Sequence, residues 1–482
     1  MIALRPILSV LGFLYAALAT AMLVPAMVDV ASKNADWQAF VFSAFLTSLA
    51  GTLLALAMRG TLSRGLNMRQ TFVLTVMAWV TLPAFGSLPF LWLGIGYADA
   101  MFEAVSGFTT TGATVLEGLD SLPPGLLVWR SMLQWMGGAG IAIMAVVLLP
   151  FLRVGGMQLF QTEVADRTEK IVARSVQHIR LIAGCYLLLT FACALAYAAA
   201  GMEAFDAVNH AMTTVATGGF STYDASFAAF ADMPAVVWTS IVFMILGALP
   251  FVLIVQAMRG RPLQLWTDPQ VRAFLLFMAV VTLGLTVHLG GTQDLVFHEA
   301  LRKAAFTVVS ITSTTGFVLT DYQAWGSAVA GLVLMLCFVG GCTGSTCGSI
   351  KIFRYQVFFG TVRSHLRKMV RPNRVTPEYF GRTRLTPELS FSVLSFLIVY
   401  IGAVGAVTLA LAVFDLGAMT AFSAAASAIG NIGPGLGQVA GPAGSYAAVP
   451  DGAKWVLSVA MLLGRLELLT VLVLLDRDFW AN

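Results

Sequence analysis

The chain has 482 residues, of which 58% are hydrophobic and only 11% charged, with a formal net charge of +4. So few charges could not cover the surface of a water-soluble protein of this length. Repeated apolar runs of about 20 residues point instead to a polytopic membrane protein.

Two apolar runs come first, at 6–28 and 38–58. The first lacks a small-residue cleavage site before polar sequence, so it is expected to be a retained helix and not a removed signal peptide. A basic loop, RGTLSRGLNMR, closes this extension (1–69). From there a pattern recurs four times: a long apolar run, a shorter moderately apolar stretch, a Gly/Thr-rich segment and a second long run. The flanking runs are 71–95 with 126–152, 178–201 with 235–258, 271–290 with 326–350, and 389–413 with 453–475. The expected units are therefore 70–153, 154–260, 261–366 and 367–482.

The middle stretches of 11–15 residues are too short to span a bilayer. Each ends in a similar phrase: TTGAT at 110–114, ATGGF at 216–220, TTGFV at 314–318 and NIGPG at 431–435. Counting from their first glycines, Gly112, Gly218, Gly316 and Gly433, the residues ten earlier are Phe102, Val208, Phe306 and Ser423. Those six earlier are Ser106, Met212, Ser310 and Ser427. These positions lie four apart and share a helix face. Four copies about 100 residues apart constitute an internal repeat.

The loops 59–69, 153–180, 259–272 and 351–384 carry 20 of the 28 Lys and Arg. The positive-inside rule makes them cytoplasmic, and with them the N-terminus. The Gly/Thr phrases then lie toward the outer side, among acids such as Asp99, Glu103, Glu117, Asp120, Glu203, Asp206, Asp224, Asp232 and Asp321. These acids read either as a mouth that concentrates cations or as ordinary loop solvation. Because every repeat starts and ends inside, the copies are parallel and surround an axis along the membrane normal, unlike the inverted repeats of many carriers. The expected fold is all-α: four parallel membrane–pore–membrane repeats around one pore, plus two extra N-terminal transmembrane helices.

Non-helical backbone at membrane depth is tolerated where it lines water or is buried in protein. A dehydrated cation can satisfy its carbonyls, as in potassium filters. Glycine accepts positive φ, threonine adds a hydroxyl oxygen, and the preceding short helix aims its negative C-terminal end at the axis. The candidate filter is thus Thr110, Thr111 and Gly112; Ala216, Thr217 and Gly218; Thr314, Thr315 and Gly316; and Asn431, Ile432 and Gly433.

GGCTGSTCGS interrupts the third repeat's second run. Gly340, Gly341, Gly344 and Gly348 disfavour a helix there. The segment reads either as a flexible blocking loop or as a kinked helix packed through small residues. Lys351 follows it, at the barrier or at the cytoplasmic surface. Arg465 sits inside the last apolar run, where an arginine costs about 2.5–3.5 kcal/mol and usually faces a cavity or partner. Glu467, two positions on, lies off its face. The basic stretch 363–385 reads either as a product of the positive-inside bias or as a docking element for an acidic partner or anionic lipid, and the mixed-charge segment 166–175 as an interfacial or docking helix. The five cysteines and five histidines show neither a disulfide framework nor transition-metal spacing. With no nucleophile–base arrangement or nucleotide loop either, enzymatic activity is not expected. Nor is a nucleic-acid partner.

Taken together, SGFTTTGATV, TTVATGGFSTYD, SITSTTGFVLTDY and IGNIGPG resemble, in order, the four filters of the Trk/Ktr/HKT superfamily of potassium transporters. GGCTGSTCGSIKIFR resembles its intramembrane loop, and GRLELLTVL its final-helix arginine motif. The length and the extra N-terminal runs favour the TrkH-like branch. The resemblance implies potassium as substrate, no covalent cofactor, a homodimer with one pore per subunit in the bacterial inner membrane, and a cytoplasmic nucleotide-binding (TrkA-like) subunit that controls the pore. It favours the gate reading of 340–350 and a pore-facing Arg465. Glycine at all four key positions resembles the potassium-selective members; Cys347 departs from the glycine usual there. The alternative function is a symporter coupling potassium to protons or sodium.

Overall fold

The computed structural model describes residues 3–58, 66–147, 168–373, 379–381, 383–442 and 444–480. The chain is a helical membrane protein. Among the described residues, six helices are long and apolar enough to cross a bilayer, or eight if each of two bent pairs counts as one span. Strand among the described residues is confined to two-residue pieces, Val339–Gly340 with Ile350–Lys351 and Tyr379–Phe380 with Thr383–Arg384.

The N-terminal helices, Arg5–Ala31 and Trp37–Ala57, pack face to face. They meet at Gly12 and Gly51, where a Cβ on Gly12 would stand 2.8 Å from the Gly51 carbonyl oxygen. Small residues permit this close backbone approach where lipid supplies no hydrophobic drive.

Each repeat opens with a long helix: Met68–Gly86, Thr168–Ala199, Pro269–Thr292 and Pro387–Ala412. Local chemistry sets the starts. Asn67 and Gln70 form a reciprocal capping box, while Asp268 and Thr386 cap helices whose first residue is proline. Phe391, Ile398, Ile401 and Leu409 on the fourth of these helices point outward, as a hydrocarbon-facing surface requires. The short helices follow as Tyr97–Phe108, Ala204–Val215, Phe297–Thr312 and Ala418–Gly430. Their C-terminal halves are buried, and so are most residues of the segments that follow them.

The second long helices depart from the continuous runs expected from hydropathy. The first spans Pro124–Val147. The run 235–258 is two helices, Pro234–Ala248 and Phe251–Met258, bent by 105°. Pro250 has no N–H to continue the ladder and disfavours helix at Leu249 before it. The run 326–350 is helical only over Ser327–Leu336, and the chain resumes as Ile352–Val370 after the glycine-rich loop. The run 453–475 is likewise bent by 105° between Asp451–Arg465 and Leu469–Leu475. No proline acts there; Glu467 takes φ +54° and is ion-paired to Arg354 on the helix after the loop.

The basic loops lie partly outside the described residues, at 59–65, 148–167, 374–378 and 382. The 166–175 segment is helical from Thr168 onward, and the first part of 363–385 lies on the Ile352–Val370 helix.

Candidate functional site

Each short helix ends in the same backbone device. Thr110, Thr217, Thr314 and Asn431 take left-handed φ of 53°, 52°, 54° and 52°. Two residues later Gly112, Gly219, Gly316 and Gly433 take φ of 85°, 80°, 79° and 101°. A β-branched threonine in the left-handed region is strained, and strain repeated at one position marks a functional constraint. The register is also visible in the helix ends, where the backbone N–H of Thr111, Gly218, Thr315 and Ile432 donates to the carbonyls of Ser106, Thr213, Ser310 and Ser427.

This corrects the repeat register by one residue in the second copy. The glycine equivalent to Gly112 is Gly219, whereas Gly218 matches Thr111. The helix-face positions are then Asn209 and Thr213 in place of Val208 and Met212, so that Ser106, Thr213, Ser310 and Ser427 all carry hydroxyls. Adjacent glycines look alike in sequence; only the backbone shows which one is left-handed.

The four segments close into a ring. A Cβ on Gly112 would run into the Gly218 carbonyl oxygen, one on Gly219 into that of Thr315, and one on Gly316 into that of Ile432. One on Gly433 would meet that of Thr111. The contacts run from repeat 1 to 2, 2 to 3, 3 to 4 and back to 1. All four glycines open onto one cavity. The ring is braced from repeat 4 to repeat 1 by Asn431 Nδ2, which donates to Thr111 Oγ1 at 3.0 Å.

The glycine-rich loop lies against this ring. Gly348 N–H donates to Thr314 Oγ1 at 2.8 Å, and the Thr217 hydroxyl donates to that of Thr346 at 3.1 Å. Gly348 abuts the Gly430 carbonyl in the fourth short helix. The loop also ties into the helix breaks. Cys342 N–H donates to Ala248 O, and Phe251 N–H donates to Gly344 O, both at 3.0 Å. Arg465 Nη1 donates to Thr346 O at 2.8 Å. Gly340 pairs with Lys351 in the short parallel ladder, and Lys351 Nζ turns back to the Cys347 carbonyl. Lys351 is buried, which removes its cytoplasmic-surface alternative. A second cavity opens on Cys347, Gly348, Lys351, Arg354, Arg465 and Glu467. Glu467 serves Arg354, whereas Arg465 donates to the loop backbone. Cys342 and Cys347 are buried free thiols.

A family model described as TrkH, cation transport protein, matches residues 37–478. The chain belongs to the TrkH family. It is 42% identical to the Trk system potassium uptake protein TrkI of Halomonas elongata, over 99% of this chain and 97% of the relative. It is 35% identical to the Trk system potassium uptake protein TrkH of Escherichia coli, with 99% of each chain covered. The crystal structure of the potassium transporter TrkH from Vibrio parahaemolyticus superposes with a TM-score of 0.91 at 35% identity, covering 99% of this chain and all of that one.

Within this TrkH-family fold the outer acids divide in a way that neither sequence reading anticipated. Glu103 is fully buried and accepts from Arg130 Nε at 2.8 Å and from Val115 N–H at 3.0 Å. Asp206 accepts from the Thr222 hydroxyl at 2.7 Å and the Tyr223 phenol at 2.8 Å. Its carboxylate, with burial second, pushes the Tyr223 phenol up to about 12. Asp224 accepts the backbone N–H of Gly118 and Leu119. Glu117, Asp120, Glu203 and Asp232 are exposed.

Sequence reasoning missed Gly219, Arg130 and Gln134. Arg130 had a signal: it is a charge inside the 126–152 apolar run, which by default marks a functional position. Gln134 is one turn further along the same face.

Proposed function

We propose that this chain carries potassium inward across the bacterial inner membrane by conduction through the four-segment ring. The filter comprises Thr110–Gly112, Thr217–Gly219, Thr314–Gly316 and Asn431–Gly433. The observation that carries this reading is the cyclic order of glycine–carbonyl contacts, which surrounds one axis with backbone oxygens from all four repeats. Paired left-handed residues interrupt the alternation of a strand, so that neighbouring carbonyls share one side and replace a cation's hydration shell. Loop 340–350 is the gate, held shut by its bonds to Thr217 and Thr314, and Arg465 adds positive charge beneath the filter. The buried carboxylates beside the filter, Glu103 and Asp206, are already hydrogen-bonded, which favours conduction over ion coupling.

The repeat boundaries near 70, 154, 261 and 367, a cytoplasmic N-terminus, a homodimeric assembly and control by a cytoplasmic nucleotide-binding subunit belong to the same proposal. They are supported by the charge distribution and by the Trk-system names of the relatives. Rubidium-tracer uptake into liposomes loaded with potassium tests it, with the cytoplasmic partner added in a parallel arm. Uptake suppressed by external potassium but not by equal sodium is expected in at least one arm. Equal suppression by both ions would overturn the potassium filter.

A further inference from the structure

Three of the four filter segments carry a side chain at the position between the two left-handed residues: Thr111, Thr315 and Ile432. The second has Gly218 there, without a side chain. The space is not empty. A Cβ on Gly218 would stand 2.5 Å from Gln134 Cδ, so the Gln134 carboxamide fills the volume that a side chain occupies in the other repeats. Gln134 comes from the Pro124–Val147 helix of repeat 1 and is fully buried. Its Nε2 donates to Gly218 O at 2.6 Å, and its Oε1 accepts from Phe220 N–H at 3.0 Å.

We propose that Gln134 is a positioning residue for ion selection, an amide splint that replaces in trans the side chain missing at Gly218 and holds the second filter segment at its spacing. The inference rests on the ring acting as the potassium filter. Two features make the carboxamide suited to the task. One group supplies a donor and an acceptor in a fixed plane, so it clamps a carbonyl and an N–H that flank Gly219. In addition, the clamped oxygen is the one that Gly112 abuts, so the splint reaches the first segment through the second. A carbonyl already accepting a hydrogen bond is a weaker and less mobile ion ligand than its three counterparts. Selectivity depends on ligand number and mobility, so freeing this oxygen should relax discrimination more than it reduces flux.

The test is a selectivity measurement on the full-length protein, with its partner if uptake requires it, in potassium-loaded liposomes. External potassium and sodium compete against rubidium. Gln134→Leu keeps the volume and removes both hydrogen bonds. It is expected to lower potassium-over-sodium preference about tenfold while retaining most of the flux. Gln134→Glu keeps an acceptor for Phe220 and should fall between Gln134→Leu and wild type. Preference equal to wild type in Gln134→Leu would overturn the proposal. If that variant does not fold, the complementary pair decides. Gly218→Ala collides with the carboxamide, and Gly218→Ala/Gln134→Ala restores the room. Because the double variant refills the space but leaves Gly218 O without its hydrogen bond, a preference that stays low there supports the splint, and full recovery, which filled volume alone would give, sinks it. An unselective wild type would instead defeat the filter reading itself, so the two failures are distinguishable.

Discussion

At the residue scale, the ring is defined by backbone conformation more than by side-chain type. Thr217 and Asn431 occupy equivalent left-handed positions although one is β-branched and the other an amide. The glycines are less replaceable, because positive φ coincides with a neighbouring carbonyl where a Cβ would point. The corrected register has a consequence in the second repeat. Gly219→Ser should behave like Gly112→Ser, since each combines left-handed strain of about 1–2 kcal/mol with a collision against the next repeat. Reversal potentials under mixed potassium and sodium should show about a tenfold loss of preference in both variants. A Gly219→Ser protein with unaltered selectivity would return the key position to Gly218. The TTG and ATG phrases were legible in sequence because they are local. The choice between Gly218 and Gly219 was not, because it depends on which residue meets Thr315 from another repeat.

At the element scale, hydropathy identified where apolar chain lies but not where it bends. Two second helices break by 105° and a third gives way to the loop, and the loop is bonded to both bends. Breaking a membrane helix exposes backbone groups that need partners. Here the loop supplies them: Ala248 O receives Cys342 N–H, and Gly344 O receives Phe251 N–H. Thr346 is central to this arrangement, since its hydroxyl contacts Val215 O at 3.2 Å and Gly247 O at 3.1 Å as well as Thr217. Thr346→Val keeps the shape and removes the one bond its proton can donate and the one it accepts from Thr217, worth about 1 kcal/mol each. Basal rubidium flux should rise about five- to tenfold, and unchanged flux would separate the hydroxyl from loop closure. Arg465→Ala removes both a charge and the bond to Thr346 O, so its flux should rise at least as much. If it fell in a properly folded variant, the arginine would be a support for the pore and not a barrier in it.

At the scale of the whole molecule, polar contacts behind the four-segment ring join the repeats. Arg130 on the first repeat's second helix pairs with Glu103 on its short helix and donates to Ser221 O of the second repeat at 2.9 Å. Its guanidinium lies 4.1 Å from the Phe220 ring centroid. Removing one member of a buried pair leaves the other uncompensated, at about 3–5 kcal/mol. Glu103→Gln should therefore lower the thermal aggregation temperature in detergent by several degrees. Arg130→Met/Glu103→Gln, which removes both charges, should recover part of that loss. A single variant as stable as wild type would show that the pair does not hold the repeats together.

The sequence by itself determined the membrane class, the four parallel repeats, the short helices and the segments from which the ring and the loop are built. All of these follow from hydropathy, run length and charge, which are properties of neighbouring residues. Only the tertiary structure decided the register of the second repeat, the bends in the second helices, the pairing of Glu103 with Arg130 and of Glu467 with Arg354, and the filling of the Gly218 space by Gln134. Each of these depends on atoms brought together from distant parts of the chain around a central axis. Buried carbonyls and charges must find partners wherever the packing places them, and that distance along the chain leaves no periodic trace in the sequence.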